Sequence, residues 1–158
     1  MKLLIASNNA HKHQELREIF AAIGARVELI APHELGIDIE PAETAGTYAG
    51  NARLKAVAFA QALRGTARDD SAHPAGPAYV IADDSGLEVD ALHGAPGIFS
   101  SRYHKRAPDG DGCAALLAEV EGVPDAQRTA RFQCAIVLIP CAAPVAPDGG
   151  EHVFLGTC

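Results

Sequence analysis

The sequence predicts a mixed α/β fold, and three observations lead there. Between Leu3 and Ile30 the chain alternates apolar run, helical repeat and apolar run, which is a βαβ-like opening. A second helical stripe precedes the apolar run Tyr79–Ala82. A long alternating run, Thr129–Ile139, then puts Ala130, Phe132, Cys134, Ile136 and Leu138 on one face, as a half-buried strand would.

In order, Leu3–Ala6 reads as a strand and Ser7-Asn8-Asn9-Ala10 as a turn. Leu16, Ile19, Phe20 and Ile23 recur at helical spacing until Gly24 ends the helix. Val27–Ile30 is a second strand, and Pro32–Gly46 an acidic loop. A helix is predicted over Thr47–Leu63, with Ala52, Ala56, Phe59, Ala60 and Leu63 as its apolar stripe. Arg64–Pro77, rich in Gly, Pro, Asp and Ala, is a loop. Tyr79–Ala82 and Leu87–Leu92 read as two strands joined by an Asp83-Asp84-Ser85-Gly86 turn. Gly94–Pro108 reads as irregular, and a short helix through Ala114, Leu117 and Val120 starts at Asp111. Pro147-Asp148-Gly149-Gly150 is a hairpin-type turn into a strand at His152–Leu155.

At 158 residues one domain, 1–158, is the default. Apolar residues make up 48% and charged residues 21%, as in a soluble globular protein. With no Trp, the large core pieces are expected to be Phe20, Phe59, Phe99 and Phe132. A net charge of −7 argues against nucleic acid or an anionic membrane as partner, yet local lysines can still receive a small anion. The four cysteines form no C-x-x-C pair, so reduced thiols in a cytoplasmic setting are expected. The apolar run at Leu3–Ala6 is too short for a signal core, and no segment suits a bilayer span.

Four clusters can carry chemistry. Ser7-Asn8-Asn9-Ala10-His11-Lys12 lies where a strand meets a helix N-terminus, whose free amides attract anions. Lys12 opposes the helix dipole there unless an anion meets it; a capped polar turn is the plainer alternative. Thr47, Asn51 and Lys55 share one helix face, either a site or a solvated surface, and Gly50 is an odd helix-interior residue. Asp83 and Asp84 would repel one another unless a cation sits nearby, and alternation lets only one reach a given metal. Arg102 reads equally as an anion ligand or a surface charge. His11 and His13 lie on different sides of a helix and do not suggest a shared metal.

In order along the chain, these segments resemble the inosine triphosphate pyrophosphatase family, which removes non-standard purine nucleotides. The resemblance rests on Ala6-Ser7-Asn8-Asn9 with Lys12; on Glu43-Thr44-Ala45-Gly46-Thr47-Tyr48 with Asn51-Ala52 and Lys55-Ala56; on Ile81–Leu92 with Gly94–Ile98 and Ser101-Arg102-Tyr103; and on Arg128–Cys134. It implies an elongated mixed β-sheet flanked by helices, in two lobes around a nucleotide cleft. It implies a homodimer that uses Mg²⁺ to convert ITP, dITP and XTP to the monophosphate and pyrophosphate. By position, Ser7, Asn8, Asn9, Ala10, His11 and Lys12 would grip the triphosphate. Asp84 would bind Mg²⁺ and act as base with Asp83 beside it, Ser85 would contact substrate, and Lys55 would neutralise phosphate charge.

Two departures stand out. Gly50 occupies the position where the family carries an acidic metal ligand, so Gly50→Glu is expected to tighten Mg²⁺ binding and raise activity; Glu40 and Glu43 are alternative acids. The family also continues past the Val153–Leu155 strand with segments that read the base, so the domain is expected to be C-terminally incomplete. The competing expectation is a catalytically impaired nucleotide-binding or dimerisation remnant.

Overall fold

The computed structural model describes residues 1–66, 76–106, 110–141 and 150–158. Five strands, β1 (Lys2–Ile5), β2 (Glu28–Ile30), β3 (Tyr79–Val89), β4 (Ala130–Pro140) and β5 (His152–Thr157), form one mixed sheet in the order β2-β1-β3-β4-β5. Both neighbours of β1 run parallel to it, whereas β4 and β5 continue antiparallel. Among the described residues no helix is long and apolar enough to cross a membrane.

Helices cover both faces near β1. The first helix, α1 (Ala10–Ala22), lays Leu16 and Phe20 against Leu3, Ile5 and Ile81. Gly24, at φ +66°, follows the end of α1 in a left-handed conformation that glycine adopts without strain. On the opposite face, α2 (Tyr48–Thr66) packs Ala52, Ala56, Phe59 and Ala60 onto Leu4, Val80, Ala82, Val137 and Ile139. Alanines on this stripe let the helix backbone approach the sheet, and the buried Phe59 ring fills the remaining gap. Burying such a ring is worth roughly 2–3 kcal/mol. The third helix, α3 (Gly112–Glu119), starts at Asp111, whose side chain accepts from the amides of Cys113 and Ala114.

The largest departure from expectation is at the paired aspartates. Asp83-Asp84-Ser85-Gly86 is no turn: β3 runs unbroken through it, and β4 pairs with it residue by residue, Asp83 opposite Ile136 and Asp84 opposite Ala135. The ladder satisfies the backbone, and each carboxylate has a cation or amide beside it, so the polar run costs the strand little. Gly86 is required by a different contact. A Cβ there would collide with the carbonyl of Gly97, because a 3₁₀ segment, Gly97–Arg106, crosses β3 at this point. The Ser100 hydroxyl fastens that crossing, accepting from the Leu87 amide at 2.8 Å and donating to the Gly97 carbonyl at 2.6 Å.

The stretch read as irregular from Gly94 is thus largely 3₁₀ helix, and the second strand predicted at Leu87 ends at Val89. Of the expected core phenylalanines, Phe99 and Phe132 are exposed. Phe99 lies beneath the Arg102 guanidinium, 5.8 Å from ring centroid to Cζ, and Phe132 lines an open hollow between α1 and β4. Most of the expected Arg64–Pro77 loop, and Pro147-Asp148-Gly149, lie outside the described residues; α2 itself runs on to Thr66.

Candidate active site

The loop between β1 and α1 is built by short-range hydrogen bonds. Asn9 caps α1, its Oδ1 accepting from the His11 amide at 2.9 Å, and the Asn9 amide donates to the Ser7 hydroxyl at 3.1 Å. Asn8 Nδ2 donates to the Ile39 carbonyl at 2.9 Å, tying this loop to the acidic loop that precedes α2. Lys12, in the first turn of α1, forms an ion pair with Asp83 on the central strand β3.

Side-chain alternation along β3 sends Asp83 and Asp84 to opposite faces. Asp84 points toward α2 and is buried. Asn51, also fully buried, donates from Nδ2 to Asp84 Oδ2 at 3.1 Å and accepts the Ala45 amide at Oδ1 at 2.9 Å. It therefore joins the loop that precedes α2 to β3 with both ends of one amide. Lys55 Nζ lies 3.6 Å from Asp84 Oδ1 and donates to Glu43 Oε1 at 3.0 Å, while Arg102 donates to Glu43 Oε2 at 3.2 Å. The result is an alternating chain of charge, Asp84–Lys55–Glu43–Arg102.

Burial raises the Asp84 pKa above its ordinary value; Lys55 and the Asn51 hydrogen bond oppose the rise, and Glu43 adds to it. Tyr48, at the start of α2, is pushed up to about 12 by burial and by the Glu88 carboxylate.

A cleft of about 840 Å³ opens beside these groups. Ser7, Asn8, Asn9, Lys12, Lys55, Asp84 and Ser85 all line it, so most of the residues singled out from the sequence converge. Ala10 and His11 do not line it, and the His11 amide is already taken by Asn9. Asp83 does not line it either, and meets it only through Lys12. Lys12, Lys55, Arg102 and Lys105 give the wall a cationic side that the net charge of −7 conceals. Arg131, in the fourth matching segment, lies elsewhere, pairing with Glu88 and Asp90 of the neighbouring chain stretch.

Sequence reasoning gave Asn51 and Glu43 too little weight. The signal available was slight: Asn51 directly precedes Ala52 of the apolar stripe and stands one helical turn before Lys55, but nothing local marks it as buried. Gly50 also acquires a reason: a Cβ there would stand 2.6 Å from the Ala45 Cβ and 3.0 Å from the Thr47 hydroxyl.

The Ham1 family model matches residues 3–158. A dITP/XTP pyrophosphatase from Vibrio parahaemolyticus is 42% identical over 139 residues, covering 87% of this chain and 62% of that protein. Another, from Opitutus terrae, is 39% identical, with all of this chain and 72% of that protein aligned. Among solved structures, a HAM1 protein from Coxiella burnetii superposes with a TM-score of 0.72 at 31% identity, covering 99% of this chain and 70% of that one. The Staphylococcus aureus Ham1 protein does so with a TM-score of 0.69 at 34% identity, covering 99% and 69%. The chain thus spans under two thirds of the length of the Vibrio relative.

Proposed function

The chain belongs to the Ham1 family, and from that premise we propose that it hydrolyses non-standard purine nucleoside triphosphates, ITP, dITP and XTP, to the monophosphate and pyrophosphate. The observation that carries this reading is Asp84: a buried carboxylate held by Asn51 and Lys55, facing a cleft whose other wall is the Ser7–Lys12 loop. Phosphoryl chemistry asks a protein mainly for positioning and charge neutralisation, and those are what this wall offers.

In this reading the loop polar groups and Lys12 hold the phosphates, with Asp83 fixing Lys12. Lys55 and Arg102, now neutralised by Glu43, turn toward the incoming anion. Asp84 takes a proton from the attacking water; burial strengthens it as a base. Water adds to the α-phosphorus, the bond to the bridging oxygen breaks, and pyrophosphate leaves with that electron pair.

A divalent cation fits this donor set. Among the described residues no three His, Cys, Asp or Glu side chains form a metal site by themselves. Mg²⁺ normally takes only one or two carboxylates, keeping water and substrate phosphate for its remaining positions. Asp84 and Glu43, joined through Lys55, would hold it, and when bound it would offset phosphate charge and acidify water. The homodimer and cytoplasmic setting that the resemblance implies belong to this proposal.

Gly50 favours one second reading, a nucleotide-binding protein with impaired turnover, since the Ala45 contact closes the position of the family's acid. The test is product identity. ITP, dITP, XTP and ATP are each incubated with the protein and Mg²⁺, and pyrophosphate and orthophosphate are quantified. Pyrophosphate from the first three with little from ATP is expected. Binding without turnover supports the second reading, and orthophosphate as the product contradicts both.

A further inference from the structure

We infer that His13 is a positioning residue for the phosphate-binding loop, an inference that rests on the pyrophosphatase reading above. Among the described residues, three polar side chains are buried: His13, Asn51 and Asp84. The last two meet at the cleft. His13 lies beneath it, on the first turns of α1, and its Nε2 stands 2.6 Å from the Ser7 carbonyl oxygen. A carbonyl only accepts, so Nε2 carries the proton and donates. The His13 amide in turn donates to the Asn9 carbonyl at 3.1 Å.

One residue therefore grips both ends of the three-residue loop Ser7–Asn9, by its backbone at one end and its imidazole at the other. Both carbonyls are drawn toward α1. A carbonyl left free at Ser7 would be able to turn its negative end toward the cleft, where it would repel a phosphate. The reach is long for a local contact, six residues, and it closes over the turn that presents Asn8, Asn9 and Lys12. A valine or leucine at position 13 would fill the same space without holding the carbonyl, so the hydrogen bond and not the bulk is the proposed contribution.

The experiment compares His13→Leu, which removes the donor, with His13→Gln, whose Nε2 lies at a similar distance from the backbone. Tripolyphosphate binding in Mg²⁺ is measured by calorimetry, ITP turnover by pyrophosphate release, and folding by thermal denaturation. For His13→Leu the expected result is binding weakened about fivefold, the size of one modest hydrogen bond. KM for ITP rises in parallel while kcat changes little, and His13→Gln restores both. Unchanged binding in His13→Leu overturns the inference. Equal damage in both variants also overturns it, because packing of the imidazole would then be the cause. A wild-type protein that binds no tripolyphosphate instead contradicts the pyrophosphatase reading beneath it, which the unmutated control reveals separately.

Discussion

Asp84 shows what a buried carboxylate costs at the scale of one residue. Burial raises its pKa, so the ionised form is disfavoured in the fold relative to the unfolded chain. The stability associated with such a group is fully present below the ordinary value of 3.8 and is lost as pH rises through the raised folded value. Asp84→Asn is therefore expected to raise the thermal midpoint at pH 7, with the gain shrinking as pH falls toward 3.8. Turnover of ITP should fall by roughly a hundredfold or more, as for a lost general base. Denaturation scans across pH, together with pyrophosphate release, check both halves. That Asp83 and Asp84 would serve different faces was legible from alternation alone. That Asp83 pairs with Lys12 was not, because the contact joins positions 71 residues apart. The burial of Asn51 was equally hidden, since a polar helix face reads as solvated until the loop folded over it is known.

At the scale of elements, the helices and most strand limits follow from local pattern, and the failures share one cause. The Asp-Asp-Ser-Gly run looks like a turn because its residues favour turns, but β4 pairs along its whole length and the ladder overrides that preference. Gly86 belongs to a crossing with the Gly97–Arg106 segment and not to a bend. The contact between α2 and the loop before it makes a sharper point. From the sequence alone, Gly50→Glu simply adds a metal ligand. The Ala45 Cβ stands in the way, and the loop that would have to move carries Glu43, which holds Lys55 and Arg102. Gly50→Glu alone is thus expected to destabilise by about 1–3 kcal/mol, the usual cost of overpacking, and to lower activity. Adding Ala45→Gly makes room, and the double variant should recover its thermal midpoint and bind Mg²⁺ more tightly than wild type. Mg²⁺ titration and thermal denaturation of both variants decide it; a single variant as stable as wild type, with the tighter Mg²⁺ binding already present, contradicts the steric account.

Across the whole molecule, a chain of net charge −7 gathers cations at one cleft, where β1, α1, α2 and β3 present their ends and faces together. The mixed sheet and the grouping of the loop, helix and strand motifs were readable because each motif sits beside a recognisable element. Their mutual geometry was not, since it depends on parallel pairing of β1 with β3 and on the packing of α2 across both. In the proposed function this cleft directs water at the α-phosphorus of a purine nucleoside triphosphate. Turnover of ITP in ¹⁸O-enriched water, followed by mass analysis of both products, tests it most directly. The label is expected in the monophosphate, with none in pyrophosphate. Label in pyrophosphate, or in released orthophosphate, would mean that a different bond is attacked and would contradict it.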